Sequence, residues 1–144
     1  MARTGWYQKI LLPVDGSEIS KKAAMIGLDM AKLLNAEVTV ISVIDLTSFT
    51  SLTQGYMLPD MFSYIDGAAE AAVKDILAEG RERNITMTPL VKRGSPAQDI
   101  IDQSRHHDLI VMGTSGRSGV SHLVLGSVAE KVVRFAECPV LVVK

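Results

Sequence analysis

The amino-acid sequence is dominated by a regular alternation of short apolar runs with longer amphipathic stretches. Continuous apolar runs that end at polar or glycine-rich turns predict strands buried on both faces, and apolar residues at helical spacing predict helices. The predicted strands cover residues 7–14, 37–44, 84–91, 108–113 and 139–143, and helices are predicted at about 17–34, 63–83 and 127–136 and after 95. Because every crossover then carries a helix, the pattern indicates an α/β fold with a parallel sheet covered on both faces.

Length and composition are those expected of one cytoplasmic domain that covers residues 1–144. The chain is 47% hydrophobic, which suffices for a buried core and excludes disorder. Its apolar runs are too short to cross a bilayer, and its first residues lack the pattern of a signal peptide. The single cysteine cannot form an internal disulfide, so we expect the reducing cytoplasm as the compartment.

The charge distribution argues against a nucleic acid or a membrane as partner. The sequence has 15 Lys and Arg and 16 Asp and Glu residues, without a basic stripe or a basic amphipathic segment. Nucleic-acid-binding proteins usually carry such a stripe because phosphate neutralisation supplies much of their affinity. We therefore expect neither partner.

The first predicted helix has a clear apolar face. Ile19, Ala23, Ile26, Met30 and Leu33 recur on one side of it, with charged residues elsewhere. This spacing predicts that these five side chains face the core.

The helix after residue 95 has the clearest start signal. Ser95 is expected to cap it, Pro96 suits the first helical position, and Gln98 completes a capping box with Ser95. The sequence therefore predicts a helix start immediately after the third strand.

Function is expected where the predicted strands end. In parallel α/β sheets, ligands bind at the carboxyl ends of the strands, where the strand order reverses. The segments at those ends are 15–17, 43–46, 93–95 and 113–127. The connection 45–62 is longer than usual and partly apolar. It fits either a lid or partner surface or a loop with a short helix packed on the domain, and we favour the loop.

The strongest chemical signal follows the fourth predicted strand. It is the pattern G-x2-G-x9-G-S, formed by Gly113, Gly116, Gly126 and Ser127. Glycine lets the backbone approach a ligand closely, and a helix that starts at Ser127 would direct free N–H groups and its positive dipole end toward the strand ends. Arg117 can add a charge to a terminal phosphate. The pattern therefore predicts a phosphate site.

Asp15, at the end of the first strand, is the second candidate site residue. Its carboxylate can accept hydrogen bonds from ribose hydroxyls or from adenine, but an Asp-Gly-Ser sequence also forms turns and caps. The glycine pattern has a structural alternative too, a plain loop with a capping box of Ser127 and Glu130. Because Asp15 and the pattern would meet at one edge of the sheet, we favour the functional interpretation.

Three segments together resemble the universal stress protein family of the nucleotide-binding type: ILLPVDGS, GTSGRSGVSHLVLGSVAEKVV and CPVLVV. The resemblance covers essentially the whole chain and is weakest at residues 45–62. It implies a single, doubly wound, Rossmann-like domain with a five-stranded parallel sheet in the order 3-2-1-4-5. It also implies that ATP lies across the switch point between the first and fourth strands.

The resemblance also implies roles for individual residues. Pro13, Val14 and Asp15 would flank adenine and ribose, and Val43 would offer backbone contacts to the adenine edge. The residues that would line the ribose are Met112, Gly113 and Thr114. Those that would hold the phosphates are Gly116, Arg117, Gly126, Ser127 and Val128.

The function implied by the resemblance is a stress-response regulator, an ATP-dependent switch that meets an unidentified protein partner. Relatives commonly form homodimers through the last strand, residues 140–143 here. One alternative is a slow ATPase or autophosphorylating protein that uses Ser118, Ser121 or His122, and another is a nucleotide-free dimeric interaction module that uses residues 45–62.

The sequence lacks the motifs of several other nucleotide-binding proteins and enzymes. It contains no Walker A sequence, no G-x-G-x-x-G after the first strand and no acidic cluster of a receiver domain. No general base is evident, so we assign no catalytic residue. No histidine has metal-ligand spacing with another His, Cys or carboxylate, and we expect Mg²⁺ or Mn²⁺ to be held by the ATP phosphates and water.

Overall fold

The computed structural model describes residues 5–47, 59–115 and 125–144. A five-stranded sheet has the order β3-β2-β1-β4-β5, and every neighbouring pair is parallel. Its strands are β1 (Lys9–Pro13), β2 (Glu37–Ile44), β3 (Met87–Arg93), β4 (Leu109–Gly113) and β5 (Val140–Val143). The helices are α1 (Glu18–Leu34), α2 (Pro59–Glu82), α3 (Pro96–Ser104) and α4 (Ser127–Phe135).

Two separate apolar clusters bury the two faces of the sheet. Ile10 and Leu12 of β1 pack with α1 and α2 on one face, and Leu11 packs with α3 and α4 on the other. Successive side chains of a strand point to opposite faces, so the buried part of β1, residues 10–13, is apolar at every position. The predicted parallel α/β fold with helices on both faces is confirmed, as is the strand order implied by the resemblance.

The buried face of α1 differs from the predicted one. Leu33 is 87% exposed. Ala23 is buried as predicted, and Ile26 and Met30 pack against the core partly buried. The other buried positions are Ser20, Ala24, Gly27, Leu28 and Ala31, which were not predicted. A Cβ atom at Gly27 would overlap the Leu12 side chain of β1, so the helix approaches the strand most closely there. The small residues therefore determine which side of the helix is buried, and Leu33 turns to solvent.

The long connection after β2 is shorter than its sequence indicated. α2 begins at Pro59, four residues before the predicted start, so Met61 and Phe62 are helical. Residues 48–58 of the connection lie outside the described residues, and the lid and loop interpretations remain predictions there. None of the helices in the described ranges is long and apolar enough to cross a membrane.

The third strand starts later than predicted and ends later. Asn84 has a left-handed backbone conformation with φ of 58°, and the Ile85 N–H donates to the Gly80 carbonyl at 3.0 Å. These contacts belong to the end of α2, so β3 begins only at Met87 and continues to Arg93.

The start of α3 is where predicted, but its capping differs. Ser95 is the cap residue and Pro96 the first helical residue. The capping box with Gln98 is wrong, because the Ser95 N–H donates to Asp99 Oδ2 at 2.9 Å. The other Asp99 oxygen accepts from Lys92 Nζ at 2.9 Å, and this ion pair holds the Asp99 carboxylate beside the helix start. A charged carboxylate is a stronger hydrogen-bond acceptor than the neutral side-chain amide of Gln98.

Candidate functional site

A cavity of about 630 Å³ opens at the carboxyl ends of the strands, where β1 lies between β2 and β4. The chain order reverses there, because β2 and β3 lie on one side of β1 and β4 and β5 on the other. The starts of α3 and α4 and the first half of α2 complete its walls. The cavity therefore lies where ligands bind in open parallel sheets.

Most residues assigned to the site from the sequence line this cavity. They are Pro13, Val14, Asp15, Val43, Met112, Gly113, Gly126, Ser127 and Val128. Gly116 and Arg117 lie outside the described residues, as do Ser118, Ser121 and His122. The fold thus brings nine of the twelve assigned residues together, and their contact with a ligand stays a prediction.

Thr114 does not line the cavity. Its N–H donates to the Val143 carbonyl at 2.9 Å, and its carbonyl accepts from the Gly126 N–H at 2.7 Å. Thr114 therefore joins the end of β4 to β5 and to the start of α4, and positions the cavity wall.

The start of α4 presents uncapped N–H groups to the cavity. Gly126 is the cap residue, and no side chain among the described residues caps the first turn. Ser127, Val128 and Ala129 line the cavity, and N–H groups at the first positions of a helix have no partner inside it. The capping box of Ser127 with Glu130 is not formed, because Ser127 is itself helical. This end therefore offers donors and a positive dipole end to an anion.

The two other helix starts that follow β1 and β3 are already occupied. Ser17 caps α1 and accepts from the Ser20 N–H at 3.2 Å. α3 starts with Pro96, which has no N–H, and Asp99 accepts from the N–H that precedes it. An anion in the cavity would therefore bind at α4.

Asp15 forms a turn and also faces the cavity. Its Oδ1 accepts from the Ser17 N–H at 2.9 Å, and Gly16 between them has a φ of 84°. The turn proposed as the structural alternative is therefore present. Asp15 also lines the cavity together with Asp45, and the described lining residues include no Lys or Arg. Two carboxylates favour hydroxyl donors over phosphates in this part of the cavity.

The backbone of Val43 is directed toward the space beyond β1. The Ile41 carbonyl accepts from the Val14 N–H at 2.9 Å, and the Ile44 carbonyl accepts from the Gly94 N–H at 2.9 Å on the β3 side. Backbone groups of successive strand residues point to opposite sides, so those of Val43 point the same way as those of Ile41. A flat ring beyond the end of β1 would meet them.

Several lining residues were not identified from the sequence. They are Ser20, Ile41, Ser42, Ile65, Ala69, Pro96, Ile100 and Ala129, whereas Ile44, Asp45 and Ser115 fall in segments expected to carry function. Ile44, Ile65 and Ala69 form an apolar cluster separate from the two main cores. Helical spacing can indicate that such residues are buried, but it cannot distinguish a core from a ligand cavity.

The segment 93–95, expected at the site, does not reach the cavity, because β3 is an edge strand three places from β4. Arg93 instead holds α2. Its two nitrogens donate to the Asp66 carboxylate at 2.6 and 3.3 Å, and its guanidinium lies 5.4 Å from the Phe62 ring centre. The hydrogen bond from Arg93 to Asp66 and the charge of that carboxylate raise the pKa of Arg93. These contacts position the helix that carries Ile65 and Ala69.

A second, more open depression of about 350 Å³ lies at the amino ends of β1 and β4, opposite the cavity. It is lined by Gln8, Lys9 and residues 105–108. Asp108 accepts from the N–H groups of Gln8 and Lys9 at 2.9 Å each, and Arg105 pairs with Glu137 at 3.1 Å. These contacts hold β1 and the α3–β4 connection together, so we give the depression a structural role.

Known proteins resemble this chain in sequence and in fold. Residues 7–144 match the model of the universal stress protein family. Universal stress protein MJ0531 of Methanocaldococcus jannaschii is 36% identical over 140 residues, which cover 96% of this chain and 82% of that protein. The structure of hypothetical protein MJ0577 is 27% identical with a TM-score of 0.82 and covers 97% of both chains. The structure of the universal stress protein from Archaeoglobus fulgidus in complex with dAMP is 20% identical with a TM-score of 0.68, covering 97% of this chain and 100% of that one.

Proposed function

The chain belongs to the universal stress protein family, and from this premise we propose that it is an ATP-binding regulator of a stress response. ATP binds in the cavity between the ends of β1 and β4 and acts as a switch for the interaction with a protein partner. The structure of the Archaeoglobus fulgidus protein with dAMP supports an adenine nucleotide as the ligand.

The observation that carries the proposal is the uncapped start of α4 in the wall of the cavity. Gly126, Ser127 and Val128 line it, and a phosphate chain there would receive N–H donors and the positive end of the helix dipole. Gly116 and Arg117 belong to the same sequence pattern, and they would add a backbone amide and a positive charge to the phosphate site. The number of these phosphate-binding groups favours a triphosphate over a monophosphate.

The nucleoside lies on the β1–β2 side of the cavity, away from the phosphates. Asp15 accepts from the ribose hydroxyls, next to Pro13 and Val14, and the Val43 backbone meets the adenine edge. The ribose lies along Met112 and Gly113, which line the cavity, whereas Thr114 positions this wall without facing the ligand. The two carboxylates of this region, Asp15 and Asp45, repel phosphates and so support this orientation.

A divalent cation enters this site with the nucleotide. Within the described residues, no group of three or more His, Cys, Asp or Glu side chains could hold a metal ion. Mg²⁺ or Mn²⁺ is therefore coordinated by the phosphates of ATP and by water. We assign no catalytic residue and expect hydrolysis to be slow or dependent on a partner.

The test is to identify the nucleotide that the protein carries and then to measure its binding. The purified protein is denatured, the released nucleotide is identified by mass spectrometry, and ATP and AMP are titrated calorimetrically into nucleotide-free protein with Mg²⁺. We expect ATP near one per chain or binding in the micromolar range, with AMP weaker. The absence of both bound nucleotide and binding heat would contradict the proposal.

A further inference from the structure

Ser42 is a buried serine whose hydroxyl has no hydrogen bond within residues 5–47, 59–115 and 125–144. The other buried serines in those ranges are bonded: Ser20 donates to the Ser17 carbonyl at 3.0 Å, and Ser104 accepts from the Glu137 N–H at 2.8 Å. Buried hydroxyl groups are normally hydrogen-bonded, so this exception needs an explanation.

The Ser42 hydroxyl is open to the cavity. Ser42 is only 5% exposed and lines the cavity. In the described part of the chain, no fully occluded side-chain polar atom lacks a partner, so the Ser42 oxygen must border free space. The free space next to this residue is the cavity.

The fold itself does not require a hydroxyl at this position. Val40 and Ile44, the neighbours of Ser42 on the same face of β2, are 0% and 6% exposed and apolar. A hydroxyl adds nothing to the packing of these apolar neighbours, and this one makes no hydrogen bond within the described residues. Neither packing nor hydrogen bonding inside the fold therefore accounts for a serine at this position.

Ser42 lies on the side of the cavity opposite the start of α4. β2 and β4 are separated by β1, and two strand spacings amount to roughly 9–10 Å. A ligand whose phosphates bind at α4 therefore reaches Ser42 with its base. The apolar cluster of Ile44, Ile65 and Ala69 lies on the same side and suits the flat face of a ring.

We propose that the Ser42 hydroxyl hydrogen-bonds a polar atom on the edge of a purine base and thereby helps to determine base specificity. This inference rests on the proposed function, which orients the ligand by its phosphates. A hydroxyl both donates and accepts, so it can pair with a ring nitrogen or an exocyclic amine. A site that hydrogen-bonds a ligand in this way discriminates against a ring without the matching group.

The variant that tests this role is Ser42→Ala, titrated calorimetrically with ATP, adenosine and inorganic tripolyphosphate. We expect its affinity for ATP and adenosine to fall by the same factor, about tenfold, and its affinity for tripolyphosphate to stay unchanged. Its stability in urea should stay the same, because the Ser42 hydroxyl makes no hydrogen bond within the described residues. A purely structural role would lower stability and affinity together.

Ser104→Ala is the matched control, since it removes a buried serine hydroxyl that is hydrogen-bonded and does not line the cavity. We expect it to lower stability and to leave nucleotide affinity unchanged. Unchanged ATP affinity in Ser42→Ala, an equal loss for ATP and tripolyphosphate, or a stability loss like that of Ser104→Ala would overturn the role of Ser42 alone. The absence of ATP and adenosine binding to the unsubstituted protein would overturn the proposed function as well.

Discussion

At the scale of single residues, the two described glycines of the G-x2-G-x9-G-S pattern have different surroundings. A Cβ atom at Gly113 would lie 3.1 Å from the Ile19 side chain, so this glycine lets α1 pack closely on β4. A Cβ atom at Gly126 would lie 3.2 Å from the Thr114 carbonyl oxygen and 3.3 Å from Ser115 Cα. Gly126 therefore sets the distance between the end of β4 and the start of α4.

Gly126→Ala should weaken ATP binding by roughly tenfold, because a shift of a few tenths of an ångström moves the N–H groups of α4 away from the phosphates. Calorimetric titration measures this loss, and urea unfolding should show a stability loss of about 1–3 kcal/mol. The control is Gly67→Ala in α2, where an added Cβ atom meets nothing within 4 Å. It should gain about 1 kcal/mol of stability and keep its affinity. Equal ATP affinities of the two variants would contradict the placement of the phosphates.

Cys138 should be unreactive at neutral pH. Burial, and to a smaller extent the charge of Asp108, raises the pKa of Cys138 to about 11. A raised pKa lowers the thiolate fraction, so at pH 8 alkylation by iodoacetamide should be about a hundredfold slower in the native than in the urea-unfolded protein. The rate should rise about tenfold for each pH unit until the pH nears the pKa. Similar native and unfolded rates would show that the thiol is accessible and ionised.

At the scale of elements, α2 belongs to two parts of the structure. Its second half contributes Val73, Ile76 and Leu77 to a main core, whereas its first half contributes Ile65 and Ala69 to the cavity wall. The Arg93 contacts with α2 are made in this first half, at positions 62 and 66. The wall therefore depends on an ion pair and a ring contact at the end of β3 as well as on apolar packing.

Arg93→Met should loosen the first half of α2 and weaken ATP binding a few-fold, with little effect on global stability. The effect on stability is small because the pair of Arg93 with Asp66 is half-exposed and screened by solvent. Hydrogen exchange should speed up at residues 59–69 and not at 73–82. The control is Arg105→Met, which removes an ion pair with Glu137 at the amino ends of the strands, away from the cavity. Identical exchange and affinity in both variants would contradict the positioning role.

At the scale of the whole molecule, the two edges of the sheet differ. β3 carries Pro89 and the charged Lys92 and Arg93, features that discourage pairing with another strand. β5 (Val140–Val143) is apolar throughout, and Leu141 is 38% exposed. The predicted homodimer through β5 fits this difference and stays a prediction.

The outward-facing backbone of β5 allows a selective test of the dimer. The Pro139 carbonyl accepts from Ile110 of β4, and the Val143 carbonyl accepts from Thr114 just after β4. The backbone groups of Val142 therefore point away from β4. Val142→Pro removes an outward N–H and should convert a dimer to a monomer in sedimentation experiments. Val142→Ala keeps that N–H and should remain dimeric, with each variant checked for folding by circular dichroism. A dimeric Val142→Pro variant would exclude pairing through this strand.

Local pattern in the sequence was enough to predict most elements. The boundaries of β2 agree with the prediction, because an apolar, β-branched run between polar residues must be buried and extended whatever its neighbours are. The start of α3 after Gly94 was equally readable from Ser95 and Pro96. Two predictions failed because tertiary contacts outweighed the local signal. Leu33 is exposed because Gly27 brings another side of α1 close to β1. Gln98 does not form the capping box because Asp99, paired with Lys92, binds the Ser95 N–H instead.

The sequence by itself determined the alternation of strands and helices and the glycine pattern before α4, because both follow from neighbouring residues. The strand order was implied only by family resemblance. Only the tertiary structure decided that Asp15, Ser42 and the start of α4 share one cavity, since more than a hundred residues separate Asp15 from Ser127. Residues so far apart meet through the packing of two cores around one sheet, and no local period in the sequence encodes that packing.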